Sequence, residues 1–92
     1  MKPLELTELE KNIIEQCNKL AKPHNFTIGK FKIKQKVKYC ITRDGYDILG
    51  NEDIIKVHEF CQNEKDLALL DETATTMVKD YKEKEAKEAA GT

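Results

Sequence analysis

The chain has no tryptophan and no serine, only four glycines and two prolines, and no apolar run near the roughly 18 residues of a membrane span. Each shortage narrows the possible function. Without serine there is no serine nucleophile, and the scattered glycines form neither a phosphate loop nor a dinucleotide fingerprint. His-Glu-x-x-His and Cys-x-x-Cys are absent as well, which removes the common zinc signatures. The opening residues, Met1-Lys2-Pro3-Leu4-Glu5, lack the apolar stretch of a secretory leader, so a cytoplasmic protein is expected.

Three cysteines cannot all pair internally. Cys17, Cys40 and Cys61 fall in segments that read as packed elements, so free buried thiols are expected. His58 and Cys61 stand three apart on a helical segment, within reach of one ion or of each other. With no short cysteine knuckle and no third group beside them, they read as packing. No metal, cofactor or enzymatic activity is expected.

The 92 residues suffice for one domain with one core. A charged fraction of 36% against 39% hydrophobic predicts a thin core wrapped in solvated charge. The net charge of −1 conceals an uneven distribution. Residues 30–45 hold five Lys and one Arg against one Asp, whereas residues 46–92 hold six Lys against twelve acids. A basic middle is thus followed by an acidic half, and such polarity bears on partner choice.

Local patterns predict an α+β domain in the order α-β-β-β-α-α. Thr7 and Glu10 have the spacing of a capping box, and Leu6, Leu9, Ile13, Cys17 and Leu20 recur at helical period. Pro23 ends that helix, expected at about residues 6–22. The period then changes to two, with strands expected at about 25–28, 31–42 and 46–49. Gly29-Lys30 and Asp44-Gly45 read as two-residue hairpin turns. Ile28 would then face Phe31, Phe26 would face Ile33, and Ile41 would face Ile48.

The result is a three-stranded antiparallel meander covered on one face by helices. Its inner face would hold Phe26, Ile28, Phe31, Ile33, Val37, Tyr39, Ile41 and Ile48. Asn51 suits an N-cap, and helices are expected at about 52–62 and 66–86, with a break near Asn63 and a fraying tail at 87–92.

The candidate surfaces are both electrostatic. Lys32, Lys34, Lys36 and Lys38 alternate along the expected central strand, with Lys30 in the turn and Arg43 at the far end. Same-face strand residues lie about 6.6–6.8 Å apart, comparable with phosphates along a nucleic-acid strand. No aromatic is expected on that face, which argues against a stacking single-strand binder. Asp66, Asp71, Glu72 and Asp80 lie off the apolar stripe of the last helix and form a second, acidic candidate surface.

The element order resembles the first five elements of double-stranded-RNA-binding domains, with Glu52 and Asp53 where those carry a basic patch. It also resembles some small phage-encoded inhibitors of bacterial defence nucleases, which implies a regulator or inhibitor. The favoured expectation is a small non-enzymatic protein acting by protein–protein contact, as monomer or homodimer. The alternative is RNA or DNA binding through the lysine-rich strand, and a zinc or thiol site ranks last.

Overall fold

The structure, a computed structural model, describes residues 2–90. Its elements are β1 (Lys2–Pro3), α1 (Glu8–Ala21), β2 (Thr27–Ile33), β3 (Lys36–Arg43), β4 (Tyr46–Asn51), α2 (Ile54–Gln62) and α3 (Glu64–Ala90). The class is α+β, as the patterns predict, but the antiparallel sheet has four strands in the order β1-β2-β3-β4. The added strand pairs Lys2 with Lys32 and Pro3 with Phe31, and the Leu4 amide donates to the Lys30 carbonyl at 2.9 Å. Two residues offer no alternation to read, and a proline is tolerated because β1 is an edge.

The capping box of α1 forms in full. Thr7 Oγ1 accepts from the Glu10 amide, and Glu10 Oε1 accepts from the Thr7 amide. The buried stripe of α1 is Ile14, Cys17 and Ala21, whereas Leu6, Leu9 and Leu20 are exposed. Helical spacing alone fitted both sets. The helix ends into a short 3-10 turn over Lys22–His24 that contains Pro23.

The first hairpin corrects the expected register. β2 runs unbroken through Gly29-Lys30, and the turn falls at Lys34-Gln35, both left-handed at φ 50° and 68°. Ile28 therefore faces Ile41, Lys30 faces Tyr39, Phe31 faces Lys38 and Ile33 faces Lys36. Gly29 serves close packing instead of a turn. The Phe31 ring lies across it, and a Cβ there would stand 3.0 Å from two ring carbons.

The second hairpin turns at Asp44-Gly45 as expected, pairing Arg43 with Tyr46. A bulge then shifts the register, so that Ile41 faces Leu49 instead of Ile48. Ile48 still points inward and is buried.

Two further boundaries differ from the patterns. Asp53, not Asn51, caps α2, its side chain accepting from the Ile55 amide, while Asn51 closes β4 and accepts from the Asp53 amide. The break at Asn63 is present. The last helix continues to Ala90, so residues 87–90 of the expected tail are helical and the final two lie outside the described residues.

Phe26, Ile28, Tyr39, Ile41 and Ile48 of the sheet pack against Ile14, Cys17, Ala21, Val57, Cys61, Leu67, Ala74 and Val78 of the helices. All three helices thus bury one face. Phe31 and Ile33, expected inside, stand on the other face by register, and Val37 shares the helix-side face but is exposed. Among the described residues no helix is long and apolar enough to cross a membrane.

Candidate functional site

The turn at Lys34-Gln35 folds the lysine row in half. Residues directly opposite in an antiparallel pair share a face. Lys30 and Lys32 therefore stand on the helix side with Tyr39 and Val37, while Lys36 and Lys38 stand on the opposite, open face with Ile33 and Phe31. Lys34 is in the turn itself. The expected single row on one face does not exist, because the turn falls five residues later than the pattern predicts.

Two of the six candidate cations are occupied internally. Lys30 Nζ reaches Glu10 at 3.1 Å, and the Tyr39 hydroxyl donates to the same carboxylate. The Thr7 amide first, then Tyr39 and Lys30, lower the Glu10 carboxyl to a pKa of about 2. Burial first, then Glu10, push the Tyr39 phenol up to about 12. These groups lock the start of α1 to the middle of the sheet.

Arg43 is the centre of a second clasp. Its Nη2 donates to the Asp71 carboxylate at 2.6 Å and to the His24 carbonyl at 2.5 Å, and Nη1 donates to Thr75 Oγ1 at 3.2 Å. The guanidinium also lies 4.5 Å from the centre of the Phe26 ring. Asp71 Oδ2 and Glu64 Oε1 flank the two nitrogens of His24 at 2.9 and 2.8 Å. Asp71 first and Glu64 second raise the His24 pKa, while His24 and then Arg43 lower that of Asp71.

The acidic candidates separate accordingly. Asp71 belongs to the Arg43 clasp, Asp66 is half-buried near the start of α3, and Glu72 and Asp80 are exposed. They do not converge on a common site with one another. Among the described residues Lys32 and Lys34 of the basic set have no ion-pair partner, while Lys36 is held only loosely at 3.7 Å from Glu52 and Lys38 is half-buried.

The open face carries groups that the sequence pattern did not single out. Phe31 lies over Gly29 in the middle, with Ile33, Lys36 and Lys38 toward the β2–β3 turn. Toward the β3–β4 turn, Phe31, Thr42, Gly45, Tyr46, Asp47 and Tyr81 line a cleft of about 400 Å³. Tyr46 and Tyr81 stack with centroids 5.3 Å apart, and the Tyr46 hydroxyl donates to Glu85 at 2.7 Å. Lys82 meets Asp44 at 3.3 Å on the same rim. The open face is therefore lysine-rich toward the β2–β3 turn and carries Asp47 toward the other end, with Phe31 between, while Tyr46, opposite Arg43, stands on the helix side and meets Tyr81 of α3 there.

Asp47 Oδ1 is enclosed and accepts no hydrogen bond. Its polar neighbour Cys40, a weak donor, is buried on the same face, and burial first and the Asp47 charge second push that thiol up to about 11. Gly50 makes room for both, since a Cβ there would sit 2.9 Å from Cys40 Sγ. The other thiols are remote from this face. Cys17 and Cys61 meet in the core, where the contact with Cys17 and then burial push Cys61 up. All three cysteines are free. Among the described residues no three His, Cys, Asp or Glu side chains converge as metal ligands.

Phe31 was hidden from the sequence pattern by the wrong register, although an aromatic two residues after a strand glycine is a signal for ring-over-glycine packing. His24 and Tyr81 could only be found once distant segments were brought together. No family model, curated protein or solved structure matches the chain.

Proposed function

We propose that this protein is a small binding module whose open sheet face contacts a protein partner. The observation that carries this reading is a sheet face left uncovered by the helices, with Phe31 in its middle and Ile33, Lys36 and Lys38 toward the β2–β3 turn. A face meant only for water alternates polar residues there, and this one places an aromatic ring and an isoleucine instead. The lysines suit a partner with acidic side chains around an apolar contact.

The test compares capture of partners from nuclease-treated host extract by the native protein and by Lys36→Glu/Lys38→Glu and Phe31→Ala variants. Loss of the same partner in both variants, with unchanged circular dichroism, supports the reading. Equal capture by all three sinks it.

A second reading, single-stranded nucleic acid, gains one specific observation. Phe31 lies directly opposite Lys38, so an aromatic does share the face with lysines. It loses from the count, since only Lys36 and Lys38 of the row remain on that face and Asp47 shares it. This reading predicts a gel shift at about 50 mM salt that vanishes by about 200 mM. No shift at low salt disposes of it.

A further inference from the structure

We infer that the tip of the β2–β3 hairpin is a basic arm that the protein partner holds in an acidic cleft, with carboxylates against both faces of the arm. It rests on the proposed protein contact and adds to it a second side, formed on the helix face by Lys2 and Lys32.

The helices cover only part of the sheet. Ile28 and Tyr39 are buried beneath them, but Val37, two residues from Tyr39 on the same face, is 42% exposed. Past Tyr39 the hairpin therefore runs on with both faces open. It extends for three residue pairs and the turn, or roughly 10–13 Å. Residues 31–38 of this arm include four lysines and no acid.

Two lysines stand on each face. Lys36 and Lys38 are on the open face, opposite Ile33 and Phe31. On the other face Lys32 is opposite Val37, and β1 brings Lys2 directly opposite Lys32 on its outer side. Like charges so placed repel, and the pair destabilises this edge of the sheet. Among the described residues neither Lys2 nor Lys32 has an ion-pair partner. A carboxylate arriving between them removes the repulsion, a gain that a neutral partner does not obtain. The Lys36–Glu52 contact at 3.7 Å joins two mostly exposed side chains, so a partner displaces it at little cost.

A protein suits the arm better than a nucleic acid. The chain carries a net charge of −1, and residues 46–92 hold six lysines against twelve acids. Their field opposes a long polyanion, whereas the carboxylates of a cleft act locally on the arm. Phe31, Ile33 and Val37 add apolar contact within a lysine rim, as protein interfaces do.

The experiment titrates poly-L-glutamate of about 20 residues into the isotopically labelled protein at about 50 mM salt and follows amide shifts. Saturable shifts are expected at Lys2 and across residues 31–38, on both faces together. Lys2→Glu/Lys32→Glu and Lys36→Glu/Lys38→Glu should each weaken binding about tenfold. Lys11→Glu/Lys19→Glu makes the same change in net charge on exposed positions of α1, and should weaken it less than about threefold. In capture from nuclease-treated host extract, both arm variants should lose the same partner.

Equal weakening by the α1 variant, or shifts confined to the open face, overturns the proposal. Tighter binding of a DNA duplex of about 16 base pairs to the same residues also overturns it, and makes nucleic acid the occupant. If Lys2→Glu/Lys32→Glu fails to fold, Lys32→Gln decides. It should weaken binding about threefold, and unchanged affinity removes the helix-side contact. Partner loss with Lys36→Glu/Lys38→Glu alone discards the arm and keeps the open contact face. Polyglutamate binding through both faces, with partner capture indifferent to Lys36→Glu/Lys38→Glu and Phe31→Ala, keeps the arm and discards that face.

Discussion

The two faces of one sheet are built on opposite terms. On the helix side, Phe26, Ile28, Tyr39, Ile41 and Ile48 are buried against three helices, and Lys30 and Arg43 at its margins are paired with Glu10 and Asp71. Among the described residues, however, Arg43 Nε is buried without a partner, and Lys32 is exposed. On the open face, Phe31 and Ile33 stay half-buried, and among the described residues one enclosed Asp47 oxygen has no hydrogen bond and Lys38 has no ion-pair partner. The difference teaches where stability resides, and it underlies the role proposed for the open face. The paired groups of the helix side hold the fold together, whereas the exposed lysine and half-buried apolar side chains of the open face are the ones a partner could reach.

The largest effect should come from the helix side. Ile41 is fully buried, and Ile41→Ala should cost about 3–4 kcal/mol and lower the melting temperature by roughly 15–25 °C. Phe31→Ala, three positions along β2 from Ile28 and on the other face, should cost only about 1 kcal/mol. Urea denaturation of the two variants measures the contrast. Equal losses would mean that the open face is a second core and not a contact surface.

The Arg43 clasp tests the boundary between the two roles. Arg43→Met keeps the stem over Phe26 but leaves Asp71 and the His24 carbonyl without their donor, so a loss of about 2–3 kcal/mol is expected. Lys36→Glu, on the open face, should change stability by less than about 0.5 kcal/mol. A negligible effect at Arg43 would return it to the pool of cations available to a partner.

Much of this contrast was legible in the letters, and the failures have physical causes. The capping box at Thr7 and Glu10, the Asp44-Gly45 turn and the break at Asn63 use side-chain chemistry confined to a few residues, so local reading found them. The helix class and the alternation of the strands were equally plain. The first turn failed because glycine has two uses. At Gly29 it admits the Phe31 ring, whereas the turn was taken by Lys34 and Gln35, which no turn preference favours. One misplaced turn reassigned a whole face, since same-face residues recur every second position. The clasps of His24, Arg43 and Asp71 join segments that only tertiary packing brings together.

The same turn offers a gain instead of a loss. Lys34 and Gln35 both hold left-handed backbone conformations that L side chains enter at a cost. Replacing them with Asn-Gly should stabilise the protein by about 1 kcal/mol, seen as a rise of roughly 4–8 °C in melting temperature. Open-face binding should be unaffected, because Lys34 belongs to neither face. A fall in stability would show that the turn is held by something other than its backbone, and the face assignment of Lys36 and Lys38 would need revision.

The smallest expected effect is a pH dependence that arises, at acid to neutral pH, on the helix side. His24 has a raised pKa in the folded protein, so its contribution is complete below about 6.5 and is lost as pH rises through the folded value. Glu10 and Asp71 are lowered, so theirs is complete above about 4.5 and is lost as pH falls, for Glu10 down to about 2. Melting temperature should therefore be highest between about pH 5 and 6 and decline gently on both sides. His24→Asn should flatten the alkaline limb and leave most of the acid limb, because Glu10 and its partners Thr7, Tyr39 and Lys30 are untouched. The variant Lys36→Glu/Lys38→Glu should leave the shape of both limbs as it is. If reversing those charges moved the alkaline limb as much as His24→Asn does, the two faces would be coupled through the sheet, and the division between a satisfied side and an available one would fail.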